Sequence, residues 1–173
     1  MNELEAVEGP TKTLENPVAL DDSNHRRTIP IELASLRQWV GHKRKNPINP
    51  TTGHLASTTN SSTWGTYAQA NAAVKRFGLD GVGFVFTRDD PYCGVDLDKA
   101  VDDHGQVKPW ARSIVERLDG YTEYSQSGTG LHVIVKATKP AGPNRRAIDD
   151  GHIEIYDRAR FFVMTGRPLE ALA

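Results

Sequence analysis

The chain has one cysteine, two methionines and few aromatic residues, 8% of the total. A single thiol, Cys93, closes no internal disulfide, which matches a reducing compartment and a small buried strand residue. No apolar run approaches the roughly 18 residues that a membrane span needs, and the acidic N-terminus lacks the basic and apolar pattern of a secretory signal. A cytoplasmic protein without membrane contact is the expectation. Internal repeats, low-complexity tracts and a Walker-type nucleotide loop are also missing, so no helicase is recognisable.

Charge is nearly balanced at −1, which argues at first against a nucleic-acid partner. Residues 1–25 carry six acids against one base, a balance of −5, and this leaves +4 on the rest. An acidic lead-in followed by a mildly basic body is compatible with a polyanionic partner. With few large apolar side chains and the polar run "DDSNHRR", residues 1–27 read as a poorly ordered acidic segment. Residues 28–173 read as one folded domain.

Within that body, "PIELASLRQWV" opens with Pro30 at a first helical position and runs into a strand near Trp39 and Val40. The Pro-, Asn- and Thr-rich stretch from Lys43 to Ser62 reads as a long loop or open hairpin. "STWGTYAQANAAVKRFG" predicts a helix capped at Ser62 or Thr63 and stopped by Gly78. "GVGFVFT" and "YCGVDLD", separated by "RDDP", predict neighbouring strands. A helix at "KPWARSIVERL", strands "YTEYSQ" and "LHVIVKA" around "SGTG", a loop over 139–151 and a last hairpin of "HIEIY" and "RFFVMTG" complete the pattern. Helices interspersed among mainly antiparallel strands make the class α+β.

Three stretches carry chemistry. In "GVDLD" (94–98), strand alternation sends Val95 and Leu97 to a core while Asp96 and Asp98 share the other face. Water can screen the two like charges, or a cation can make the pair favourable. In "SQSGTGLHVIVK", Ser127, Gly128, Thr129 and Gly130 form a turn open to anions, followed by His132, Ile134 and Lys136 on one strand face. In "HIEIYDRARFF", Glu154 and Tyr156 share a face opposite Ile153 and Ile155, and Asp157, Arg158 and Arg160 follow. Each stretch also has an ordinary structural explanation: solvated acids, a strand-joining turn, a solvated glutamate. Three acids on two strands beside an anion-binding turn fit a divalent-cation site that handles a nucleoside triphosphate.

In this order and spacing the three motifs resemble those of the archaeo-eukaryotic primase superfamily, above all the primase-polymerase domains of phage and plasmid replication proteins. The likeness covers roughly residues 37–167 and includes "W…K.NPINP.TG", "TW…A" and "RFFVMTG". It implies an RRM-like antiparallel-sheet palm with flanking helices and an N-terminal αβ extension. It assigns metal ligation to Asp96, Asp98 and Glu154 for two Mg²⁺ or Mn²⁺ ions, and triphosphate contact to Ser127 and His132. Gly128 and Gly130 would allow close backbone approach. Lys43 or Lys45, and Arg160, would reach phosphate or template, with Phe161 near the sugar. The implied activity is a DNA primase/polymerase acting on NTP or dNTP with single-stranded DNA template and primer, and a helicase supplied by another domain or subunit.

Three other functions compete. A non-catalytic single-stranded nucleic-acid-binding module needs basic grooves and stacking aromatics rather than converging acids. A replication-initiator nuclease wants a histidine-hydrophobe-histidine pair, which none of the six histidines forms. A metal-dependent phosphatase or other nuclease leaves the "SGTGLH" turn without a purpose.

Overall fold

The computed structural model describes residues 29–170. The acidic segment 1–27 and its expected lack of order lie outside the described residues. Among the described residues, nine strands form two antiparallel sheets, with three α-helices among them. The first sheet has the order β2-β1-β3-β9, from β1 (Trp39–Lys43), β2 (Asn46–Ile48), β3 (Gly81–Phe86) and β9 (Arg160–Met164). The second has the order β5-β6-β4-β8-β7, from β4 (Tyr92–Asp98), β5 (Tyr121–Tyr124), β6 (Leu131–Lys136), β7 (Arg145–Ile148) and β8 (Gly151–Tyr156). The α+β class follows directly. None of the described helices is long and apolar enough to cross a membrane.

Alternation decides what each face does. Val95 and Leu97 of β4, Leu131 and Val133 of β6 and Ile153 and Ile155 of β8 form one apolar face. Helix α3 (Pro109–Leu118) covers it with Ala111 and Val115, and Pro109 begins that helix at the position where a missing N–H costs nothing. Toward the first sheet, Trp39, Phe84, Phe86 and Phe162 meet Tyr92 and Ile134 of the second in a separate core. Its rings pack edge to face: Trp39 lies 5.3 Å from Phe84, and Phe86 4.9 Å from Phe162. Gly94 lets the sheets approach closely, since a Cβ there would stand 2.4 Å from Phe86 Cζ and 2.6 Å from Phe162 Cε2.

Several sequence expectations need correction. β3 and β4 are consecutive but lie in different sheets: β3 pairs with β1 and β9, whereas β4 pairs with β6 and β8. The Asp90 carboxylate explains the redirection, because it accepts the N–H groups of Thr87 and Tyr92 and the Gln38 side-chain amide at 2.6 Å. Likewise β8 and β9 are no hairpin. The chain crosses between sheets through residues 157–159, where Ala159 takes a left-handed φ of 52°. The N-terminal elements share their sheet with β9, which comes from the other end of the chain.

Smaller differences are local. Helix α1 spans only Ile31–Ala34, with Pro30 as its cap rather than its first residue. Helix α2 (Tyr67–Phe77) begins after Thr66, not Ser62 or Thr63, because Thr66 and Gln69 make a reciprocal capping box; residues 61–63 form a separate 3₁₀ turn. Gly78 ends α2 as expected. The loop over 139–151 contains the edge strand β7, and the stretch after Lys43 contains β2.

Candidate active site

Asp96 sits where β4 leaves the contact between the sheets. Two residues beyond Gly94, about 7 Å along the strand, the sheets have parted and Asp96 and Asp98 line a cleft of about 540 Å³. Ser125, Gln126, Ser127, His132, Arg160, Phe161, Lys45 and Thr58 line it as well.

Register assembles the site. Asp96 lies directly opposite His132 on one side and Glu154 on the other. Extended outward, the same row places Glu123 of β5 opposite His132 and Arg145 of β7 opposite Glu154. One charged or titratable residue from each of five strands thus shares a single line on one face. Directly opposed side chains in an antiparallel pair have Cβ atoms roughly 5 Å apart, so three strands separated in sequence bring their functional groups within reach of one another.

The electrostatics follow from this crowding. Burial, and then the neighbouring charges of Asp98 and Glu154, push the Asp96 carboxyl up from the usual range, against the opposing pull of His132 and Arg160. Glu154 is better supplied. Its Oε2 accepts the Tyr156 hydroxyl at 2.6 Å, Arg145 Nε lies 3.4 Å from Oε1, and Arg160 Nη2 lies 3.9 Å from Oε2. Arg160 also sits over the Tyr156 ring, 4.7 Å from its centroid. Burial and the bond to Glu154 raise the Tyr156 phenol.

His132 Nε2 lies 3.9 Å from Asp96 Oδ1, and the imidazole stacks on Phe162 with centroids 4.7 Å apart. The turn before it is held by its own hydroxyls. Ser127 Oγ lies 3.1 Å from Ser125 Oγ and 3.0 Å from Thr129 Oγ1, while Ser125 Oγ accepts the Gly130 N–H. Arg167 donates to the Ser125 and Gln126 carbonyls and pins the turn from the segment after β9.

The structure brings Asp96, Asp98, Ser127, His132, Arg160 and Phe161 to one cleft, with Glu154 beside it in the row. Other expected residues fall elsewhere. Gly128 and Gly130 do not line the cleft: their N–H groups bond within the turn, to the Ser125 carbonyl and to Ser125 Oγ. Gly130 instead allows the turn to lie against β4, for a Cβ there would stand 2.9 Å from the Leu97 carbonyl. Lys43 points away, donating to the Gly78 carbonyl at the end of α2. Lys45 lines the cleft, because Arg44 and Lys45 both take left-handed φ and swing the chain around the β1-β2 turn.

Sequence reasoning assigned no role to Glu123, Arg145 or Tyr156. Tyr156 was legible, since it shares the face of Glu154 two residues on. Arg145 and Glu123 were visible only through cross-strand register, which the sequence does not display. Among the described residues no three His, Cys, Asp or Glu side chains form a group that could hold a metal ion unaided.

Fold and site together define an α+β domain of two antiparallel sheets with an acid- and hydroxyl-lined cleft at their junction. No model of a known protein family matches the chain. Over 141 residues, 78% of its length, the chain is 39% identical to the DNA primase-polymerase of Nitratiruptor phage NrS-1, of which this stretch is 20%. The chain thus spans about one fifth of that protein's length, and the likeness supports a phage-type primase-polymerase domain.

Proposed function

We propose that the domain is a DNA primase/polymerase that transfers nucleotides to a primer on a single-stranded DNA template in the replication of a phage or related element. The supporting observation is the row of Asp96, His132 and Glu154 on adjacent strands, facing with Asp98 a cleft that also holds Ser127, Lys45 and Arg160. A polynucleotide-binding module has no use for such acids, which repel phosphate. Strand order supports an RRM-like palm: β5-β6-β4-β8, with α3 between β4 and β5, is the order of a split βαβ sheet, the β7 hairpin taking the place of a second helix.

The residues suit divalent cations. Asp96 and Asp98 offer hard oxygen donors on one open face, and burial, with the nearby charges of Asp98 and Glu154, raises the Asp96 carboxyl against the pull of His132 and Arg160. Mg²⁺ usually takes one or two carboxylates plus substrate phosphates, so Asp96 and Asp98 would hold it together with the triphosphate, with Glu154 beside them in the row. Bound there, Mg²⁺ or Mn²⁺ would promote deprotonation of the primer 3′-hydroxyl and offset charge at the α-phosphate, as a metal pair does in polymerases.

The chain's own groups do the positioning. His132 directs Nε2 toward the cleft from a ring fixed against Phe162, and Ser127 and its neighbours present hydroxyls, so the triphosphate lies between turn and row. Arg160 and Lys45 both line the cleft, supply positive charge and align the phosphates for in-line attack. Arg145 and Tyr156 fix the Glu154 carboxylate beside Asp96 in the row. The substrates are NTP or dNTP, and helicase action comes from another domain or subunit.

The test is incubation with single-stranded DNA, Mg²⁺ or Mn²⁺ and labelled nucleotides, with and without primer, followed by sizing of the products. Metal-dependent, template-directed extension is the expected result. Metal-dependent cleavage of the template without synthesis would replace this reading by the nuclease.

A further inference from the structure

We infer that Glu123 is a positioning residue for His132: its carboxylate holds the Nδ1 edge of the imidazole so that Nε2 faces the cleft. This rests on the reading of His132 as a triphosphate contact.

Glu123 is 0% exposed. Burying a carboxylate so fully is costly unless its oxygens are satisfied, and they are. Oε1 accepts the Thr165 N–H at 2.7 Å, and Oε2 accepts the Gly166 N–H at 3.0 Å and the Tyr121 hydroxyl at 2.9 Å. Three neutral donors explain how the acid is tolerated. They do not explain why an acid stands in line with the catalytic row.

His132 supplies the reason. It is directly opposite Glu123 in the register, and among the described residues it is the one basic side chain within 4.0 Å of that carboxylate, with Nδ1 3.9 Å from Oε1. Nδ1 is buried and has no hydrogen-bond partner. An unpartnered buried nitrogen is costly, and a small side-chain adjustment closes 3.9 Å to a hydrogen bond. The ring is then bounded on three sides: Phe162 on its face, Glu123 at Nδ1 and Asp96 toward Nε2.

The same carboxylate ties this edge to the first sheet. Thr165 and Gly166 directly follow β9, the strand that carries Phe162. Phe162 and the two N–H groups that hold Glu123 therefore belong to one continuous segment, and the nucleotide contact in the second sheet takes its orientation from the first.

The test measures binding of ATP and dATP with MgCl₂, and KM and kcat for extension, in the wild type, Glu123→Gln, His132→Asn and the double variant. Each single change is expected to weaken nucleotide affinity about tenfold, mainly through KM, with the double variant no weaker than His132→Asn alone. If Glu123→Gln has no effect, or costs the same factor in both backgrounds, Glu123 does not act through His132. A His132→Asn chain with wild-type affinity would overturn the phosphate role first, and this inference with it. Since Glu123→Gln places an amide against two N–H donors and can unfold the chain, a second measurement uses the wild type. Ring ¹⁵N and ¹H spectra, assigned with His132→Asn, should show a slowly exchanging proton on Nδ1. A bare Nδ1 would refute the contact.

Discussion

Asp96→Asn separates stability from function in opposite directions. In the folded chain Asp96 faces Glu154 across a strand pair, with Asp98 close by. Two unit charges about 5 Å apart repel by about 3 kcal/mol at an effective dielectric near 20. His132 beside Asp96, Arg145 and Arg160 around Glu154, and partial solvent access at Asp96, whose side chain is 20% exposed, leave a net relief of about 1 kcal/mol when the charge is removed. For a chain of this size that corresponds to a rise in melting temperature of about 2–4 °C without metal.

The pH dependence fixes the sign. Because the folded pKa of Asp96 is raised above its ordinary value of 3.8, the group's stability is complete below that value and is lost as pH rises through the folded pKa. The gain from asparagine should therefore be full near neutrality and vanish in acid. Added Mg²⁺ should reverse the order, since ligand bound only to the folded wild type stabilises it by mass action. Primer extension should fall at least ~10²–10³-fold, the usual cost of losing an electrostatic stabiliser. The assays are differential scanning calorimetry with and without Mg²⁺, and extension of a labelled primer. An asparagine variant that melts below the wild type in metal-free buffer, or extends primers within tenfold of it, would refute the reasoning.

Lys45→Ala should raise the nucleotide KM about tenfold by removing a cation from the cleft, whereas Lys43→Ala should leave extension intact and cost about 0.5 kcal/mol at the end of α2; equal effects in extension assays would contradict the placement of the two lysines. Gly130→Ala should destabilise by about 1–3 kcal/mol in urea titration, because the new Cβ meets the Leu97 carbonyl at 2.9 Å and Ser125 Oγ at 3.1 Å. Burial, against the opposing pull of Asp80, lowers the pKa of His42, so its stability is present above the ordinary value of 6.5 and declines as pH falls through it toward the folded pKa. Calorimetry between pH 7 and 5 should show that loss, and His42→Gln should flatten it.

What the sequence displayed was local. Alternation alone put Val95 and Leu97 on one face and Asp96 and Asp98 on the other, and the same rule separated His132 from Val133 and Glu154 from Ile155. Sheet membership was hidden, because "RDDP" and "DRA" read like hairpin turns. What decides them is a side chain acting on the backbone in one case, Asp90 gathering Thr87 and Tyr92, and a left-handed alanine in the other. The choice between Lys43 and Lys45 was equally hidden. Neither Arg44 nor Lys45 advertises a left-handed turn as Asn-Gly does, yet two such residues rotate the second lysine into the cleft.

The position of the cleft follows from the length of one strand. β4 carries Tyr92 and Gly94 into the contact with the first sheet and then, on the same face, Asp96 and Asp98 beyond it. If Gly94 bore a side chain, the sheets would be held apart where Phe86 and Phe162 now touch it, and Phe162 would be displaced from the imidazole. A strand with charges at all four positions would have no such core to anchor it. The mutual repulsion of the acids is therefore offset by aromatic packing within two residues, and Phe162, which stacks on His132, belongs to both the core and the site.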